Sequence, residues 1–226
     1  MEYLVRRARQ QKPELQGNWN GPAWRDAEIA DVTSFHPASS DHRPRTEAKM
    51  LHDDEGLYVH FRVQDRYVVC TRTENQSLTS KDSCVEVYLQ PGPDTRGYFN
   101  FEMNCGGALL LFYILDPIRS DPGIFKHKFI VAQSLIDTMR IYHSLPRTLE
   151  KEITEPVEWS VEYFIPNSLF ENYVGKLPPP GERRWRGAFH KCADESSHPH
   201  WASWSPLGEA LNFHVPKYFG DFRFES

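Results

Sequence analysis

No stretch of this sequence approaches the roughly 18 consecutive apolar residues of a membrane-spanning helix, so a helical span is not expected. Basic blocks are also missing. Lys and Arg total 26 against 31 Asp and Glu, a formal net charge of −5, and the broad electrostatic footprint of a nucleic-acid binder is not there. Cysteine is sparse: Cys70, Cys84, Cys105 and Cys192 are widely spaced and form no CxxC. Four cysteines allow three pairings, and spacing does not choose among them. Cys84 and Cys105 fall inside apparent strands, where a free thiol behaves as a small apolar residue, and free thiols are the expectation. The first eleven residues carry three arginines and no apolar segment, so no secretory signal is read. That favours the cytoplasm, the alternative being a secreted chain whose signal has been removed. Helical pattern is scarce as well, limited to one short element near 167–173, with Asn167 as its N-cap.

What is present is turn chemistry and strand patterning. Seventeen prolines and a 13% aromatic content, in a chain of 226 residues, point to many short strands around a sizeable core. Residues 45–51 and 57–63 alternate on either side of His52-Asp53-Asp54-Glu55-Gly56, a hairpin signal. Further strands are read at 84–89, 98–105, 108–114, 157–165, 185–191 and 222–224, with Gly106-Gly107 turning one into the next. Segments 127–133 and 138–143 read as another hairpin. Strands recurring about every ten residues between turn signals predict an all-β fold, an antiparallel β-sandwich of jelly-roll or immunoglobulin-like type. No internal repeat or linker divides the chain, so 1–226 reads as a single domain with residues 1–16 as a lead-in.

Side chains alternate across a sheet, which lets each strand be sorted. Val85, Val87 and Leu89 share one face, and Cys84, Glu86 and Tyr88 the other. Phe99, Phe101, Met103 and Cys105 oppose Tyr98, Asn100, Glu102 and Asn104. Leu57, Val59, Phe61 and Val63 leave Tyr58, His60 and Arg62 opposite, and Arg186, Ala188 and His190 oppose Trp185, Gly187, Phe189 and Lys191. One set of faces is a core. The other is rich in Arg, Glu, Asn, His and Tyr and holds Lys49 as its one lysine. A solvated outer face is the plain reading of such a pattern. The planar hydrogen-bonding groups and rings equally suit a polyhydroxylated ligand, since carboxylate and guanidinium bond paired hydroxyls and rings stack on sugar C–H faces.

An ordered set of stretches resembles the family 9 carbohydrate-binding modules, more closely their single-domain relatives. It comprises Trp19 to Trp24, Arg43-Pro44-Arg45-Thr46-Glu47, Gly56-Leu57-Tyr58-Val59 with Val63-Gln64-Asp65, and Lys81-Asp82-Ser83-Cys84-Val85-Glu86-Val87. Gly97-Tyr98-Phe99-Asn100-Phe101-Glu102, Trp201-Ala202-Ser203-Trp204-Ser205-Pro206, and Pro216 with Phe219-Gly220 complete it. The resemblance implies a jelly-roll-like sandwich that binds the ends of sugar chains without cleaving them, often with structural calcium. In the family two tryptophans clamp the sugar. The first falls here within Leu78-Thr79-Ser80-Lys81, which has no aromatic, and the second at Phe213. Glu86 matches a sugar-contacting glutamate, Glu102 stands where the family has an arginine, and His190 lies near a glutamine. Trp201 could supply the missing ring from another loop.

The expected function is therefore non-catalytic binding of a mono- or oligosaccharide or a chain end. Arg62, Glu86, Asn100, Glu102, Asn104 and Arg186 would supply hydrogen bonds, His190 a polar contact, and Trp201 and Phe213 the stacking rings. Nucleic-acid and membrane partners are not expected, and no cofactor is required. Glu86 and Glu102 on neighbouring strands also admit a glycoside-active enzyme, because two carboxylates flanking a cleft are the machinery of glycoside hydrolysis. A structural or partner-binding sandwich is the remaining alternative. Asp53-Asp54-Glu55-Gly56, Asp116 and Asp121 could offer calcium oxygen ligands. His198-Pro199-His200 beside Cys192 and Asp194 suggests zinc, although the spacing fits no standard set.

Overall fold

Alternating residues assemble into two facing sheets. The computed structural model describes residues 1–9, 11–93, 95–121 and 124–226. The strands of the first half are β1 (Glu2–Arg7), β2 (Ala30–Asp31), β3 (Ser34–Phe35), β4 (Arg45–His52), β5 (Gly56–Asp65), β6 (Cys84–Gln90), β7 (Tyr98–Asn104) and β8 (Leu109–Asp121). Then follow β9 (Ile124–Ile130), the single turn α1 (Gln133–Ile136), β10 (Arg140–His143), β11 (Val157–Pro166), α2 (Asn167–Val174), β12 (Arg184–Cys192), β13 (Trp201–Ser203) and β14 (Gly220–Phe224). The all-β sandwich and the helix near 167–173 are as the sequence predicts, but Pro166 and not Asn167 holds the N-cap position, and the Asn167 side chain donates to the Asp54 carbonyl instead of capping the helix.

One layer runs β10-β11-β5-β4 and the other β14-β12-β6-β7-β8-β9. Between them Val59, Phe61 and Val63 of β5 share a core with Val85 and Val87 of β6 and Phe101 and Met103 of β7. Phe61 and Phe189 meet edge-on at 5.9 Å, tying the layers together at their centre. Each such side chain contributes about 1.5–3 kcal/mol on leaving water, so this apolar seam is the main stabilising element.

Two expectations are corrected. The lead-in begins as a strand that belongs to both layers: Glu2 to Val5 of β1 pair parallel with β14, and Arg6 and Arg7 pair parallel with β4. Tyr3 and Val5 are buried, and the density of arginine around them masks the alternation. Segments 127–133 and 138–143 do not pair with each other. β9 pairs with β8, whereas β10 pairs with β11 in the opposite layer. The chain changes layers at α1, where Gln133 Nε2 donates to Asp137 Oδ1 at 2.7 Å and closes a helical turn in place of a hairpin.

The outer faces of the two layers differ. Over β4, β5 and β11 the segment that follows β1 folds back as a cover. Trp19 and Trp24 flank His60 at 5.0 and 5.2 Å, and Trp24 Nε1 donates to Glu162 Oε1 at 2.8 Å. Lys49 Nζ donates to the carbonyls of Trp19 and Trp24, both at 3.1 Å. The polar residues sorted outward on this layer therefore hold a cover in place. The outer face of the β12-β6-β7 layer stays open at one point, and the candidate site lies there.

Candidate functional site

Glu86 on β6 and Glu102 on β7 are directly opposed, and His190 on β12 opposes Glu86 from the other side. Cross-strand partners bring their Cβ atoms to about 5 Å, so alternation alone sets these three side by side. Above the two glutamates is a cleft of about 330 Å³. That size is at the lower end for small-molecule sites.

The two glutamates form a buried acidic wall. Glu102 Oε1 accepts from Asn100 Nδ2 at 2.6 Å and from Tyr88 Oη at 3.2 Å. Burial raises the Glu102 carboxyl to about 7, against the stabilising effect of those donors. Glu86 is raised well above the usual carboxylate range, by burial first and by neighbouring Glu102 second. Its Oε1 accepts from the Cys192 thiol at 3.1 Å, while its Oε2 is buried with no protein partner. Unmet acceptor capacity beside a cleft is a place for a hydroxyl donor.

Rings and apolar side chains make the walls. Phe213 lies flat on the His190 imidazole, centroids 4.2 Å apart and planes 7° from parallel. Burial depresses His190 to about 3, so it packs there as a neutral ring. The loop that carries Phe213 is pinned by His214, whose Nε2 and Nδ1 meet the hydroxyls of Tyr88 at 3.1 Å and Tyr98 at 2.9 Å. Trp201 is held by its Nε1 donating to Asp194 Oδ1 at 2.7 Å. Leu78 and Leu211, 58% and 42% exposed, stand at the mouth. Exposed leucines lining a cleft are an invitation to an apolar ligand face.

Of the residues read from sequence, Glu86, Glu102, Trp201 and Phe213 line the cleft. Asn100 orients Glu102 from beside it, and His190 backs Phe213. Three residues lie elsewhere. Arg62 is on β5 in the other layer, bonded to Glu47 Oε2 at 2.6 and 3.1 Å and lying over the Trp19 ring. Asn104 closes the β7–β8 turn, accepting from the amides of Gly106 at 3.2 Å and Ala108 at 2.9 Å and donating to Asp82. Arg186 donates to the Phe219 carbonyl at 2.7 Å near the start of β12, outside the lining of the cleft. Alternation assigns each of them an outward face and says nothing of which layer or which end of the strand it occupies.

Sequence reasoning missed several cleft residues. Tyr88 was legible, since it alternates with Glu86. His214 adjoins Phe213 but carries no pattern of its own. Arg119 brings a guanidinium to the cleft from the β8–β9 arm, stacked over Phe125 at 4.8 Å, and nothing in its surroundings in the sequence points there.

The residues considered as metal ligands are mostly engaged otherwise. Asp53 Oδ1 accepts from the amides of Glu55 and Gly56, and its Oδ2 from Tyr58 and Lys12. Asp54 pairs with Arg7, Glu55 with Lys12, and Asp116 caps the Ile118 amide. These carboxylates are spent on turns and ion pairs and do not converge as a calcium cage. The Asp121 side chain lies outside the described residues. His200 Nε2 meets Lys191 Nζ at 2.8 Å, and His198 stacks on Tyr67 at 3.6 Å, so the two loop histidines do not join Cys192. Cys192 turns into the sheet face instead.

A model of the family described as carbohydrate-binding family 9 matches residues 25–224. No curated protein sequence matches. Among solved structures, a protein of Bacteroides uniformis ATCC 8492 thought to bind carbohydrate is similar over 99% of both chains, at 24% identity and a TM-score of 0.84. A family 9 carbohydrate-binding module from Caldicellulosiruptor kristjanssonii, solved with cellotriose, is similar over all of this chain and 94% of its own, at 17% identity and a TM-score of 0.64. Its complex with glucose gives 15% identity, 96% of that chain and the same TM-score. At these identities the likeness shows a shared fold.

Proposed function

Because the chain belongs to carbohydrate-binding family 9 and binds sugar without cleaving it, we propose that the ligand is a mono- or oligosaccharide, or a chain end, held in the cleft over Glu86 and Glu102. The observation that carries this reading is the pairing of a buried, partly unsatisfied carboxylate wall with the Phe213 and Trp201 rings around a cleft of about 330 Å³. Glu86 and Glu102 would accept hydroxyl hydrogens, and Tyr88, Asp194 and Arg119 would add polar contacts. Phe213, Leu78 and Leu211 would cover the C–H faces of the ring. The small volume favours one or two sugar units over the middle of a polymer.

The same geometry argues against hydrolysis. A glycosidase carboxylate pair faces the bond from two sides and has its proton affinities pushed apart. Here the two glutamates are directly opposed on neighbouring strands of one floor, and burial raises both.

Calorimetric titration against mono- and oligosaccharides and their reduced counterparts tests the reading. Binding that disappears on reduction of the sugar, without new product, is expected. Undiminished binding after both Glu86→Ala and Phe213→Ala would place the ligand elsewhere, and released product would overturn the non-catalytic reading.

A further inference from the structure

The floor of the cleft holds a second constellation, which shares Glu86 with the sugar reading and adds two cysteines that sugar binding does not use. Cys84 on β6 and Cys192 on β12 are direct cross-strand partners. Glu86 follows Cys84 by two residues and so points to the same face. A sulfur from each cysteine and a carboxylate oxygen of Glu86 all lie within 4.8 Å of one another. Within that group the Cys192 Sγ to Glu86 Oε1 distance is 3.1 Å. All three residues are buried, at 0%, 1% and 2% exposure, and Glu86 Oε2 has no protein partner.

Two sulfurs and one carboxylate oxygen at this separation form three corners of a small tetrahedron. Thiolate ligands select zinc and other soft or borderline ions and exclude calcium and magnesium, which take oxygen alone. The ligands come from two hydrogen-bonded strands, so the backbone fixes their spacing before any ion arrives. Glu86 and Cys192 also line the cleft, leaving the fourth corner on its open side.

We propose that Cys84, Cys192 and Glu86 form a zinc(II) site in the cleft floor, with one coordination position open to the cleft. Binding releases the two thiol protons, and the carboxyl proton where Glu86 carries one, to solvent, and leaves three anionic ligands around one dication. No oxidant or reductant takes part. The inference rests on the sheet geometry and goes beyond the sugar-binding reading, and a metal readout without sugar tests it separately.

The test uses the full chain, reduced with a phosphine and freed of metal. Cobalt(II) is titrated in as a spectroscopic stand-in, followed by zinc(II). One cobalt per chain is expected, with a thiolate-to-cobalt absorption in the near ultraviolet that one equivalent of zinc removes. Cys84→Ser and Cys192→Ser should each lower affinity by about a hundredfold and diminish the absorption, and Glu86→Gln should lower affinity by about tenfold while keeping it. Cys70→Ser, in the separate Cys70 and Cys105 neighbourhood, should change neither. No absorption at saturating cobalt overturns the proposal, as does absorption left undiminished by Cys192→Ser or lost in Cys70→Ser. If the cysteine variants do not fold, the wild-type absorption, the Glu86→Gln loss and a zinc-dependent rise in melting temperature reversed by a chelator decide the matter. Absence of these three signals overturns it.

Discussion

Lys191 Nζ lies 3.6 Å from Asp65 Oδ2, with both side chains fully shielded from water, and this ion pair joins the two sheets inside the core. Lys191 occupies the inward face of β12, in line with Trp185 and Phe189. Its ammonium also donates to the Cys192 carbonyl at 3.0 Å and meets His200. Burial alone would raise the Asp65 carboxyl. Lys191, His42 and the Trp159 indole outweigh that and hold it well below the usual range.

Removing the cation should therefore cost far more than a surface pair would. Lys191→Met is expected to lose about 3–5 kcal/mol, because a buried carboxylate is left without its partner. Adding Asp65→Asn should return part of that loss. Denaturant midpoints of the two single variants and the double variant measure the coupling. A cost below about 1 kcal/mol for Lys191→Met would mean that water reaches the pair.

Acid should weaken the fold through its buried histidines, and His60 is the clearest case. It sits between Trp19 and Trp24 with neither ring nitrogen bonded. Burial first, then Lys49 and Arg62, depress it from 6.5 to about 3, and Glu162 on β11 is spent on Trp24 and the Gly17 amide. Above pH 6.5 neither folded nor unfolded chain protonates this ring, and its contribution is fully present. Between 6.5 and about 3 only the unfolded chain does, so stability falls by up to about 1.4 kcal/mol per pH unit for this one group. His60→Phe should flatten that slope in a melting-temperature series from pH 7 to 4. An unchanged slope would assign acid sensitivity to other groups, among them His200, likewise depressed to about 3.

The cleft mouth predicts a gain of function. Leu78 stands exposed at the rim, within the stretch that matches the first clamp position of the family, and Phe213 occupies the second. Leu78→Trp should supply the absent ring and tighten sugar binding by about tenfold. Phe213→Ala should weaken it by about three- to tenfold, from a stacking contribution of about 0.5–1.5 kcal/mol. Calorimetry reads both. An unaffected Leu78→Trp would show that the ligand does not reach that rim.

Arg62 and Asn104 separate fold from site. Arg62→Ala should leave sugar affinity within about twofold, since it belongs to the Trp19 cover on the other layer. Asn104→Ala should cost about 1–3 kcal/mol of stability by orphaning buried amides in the β7–β8 turn. A large loss of affinity in a folded Arg62→Ala protein would move the site to the covered face.

Much of the site was legible because sheets have a period of two. Alternation alone sets Glu86, Asn100 and Glu102 on one face, and the β6–β7 register brings the glutamates together. Trp201 and Phe213 were legible through the order of short motifs. Arg62 obeyed the same alternation and still belongs to another surface. Arg119 and Leu78 reach the cleft from a strand arm and a loop, where local pattern carries no address.

Alternation, turn residues and the sparing use of helix formers by themselves determined an all-β chain with one apolar and one polar face per strand. That follows from backbone geometry, which acts over neighbouring residues. Tertiary structure alone decided which polar face is covered by Trp19 and Trp24 and which opens into a cleft. It also placed Cys84 beside Cys192, and Lys191 against Asp65 across the core. Those outcomes depend on the pairing of segments about a hundred residues apart, and the packing of whole sheets sets that pairing.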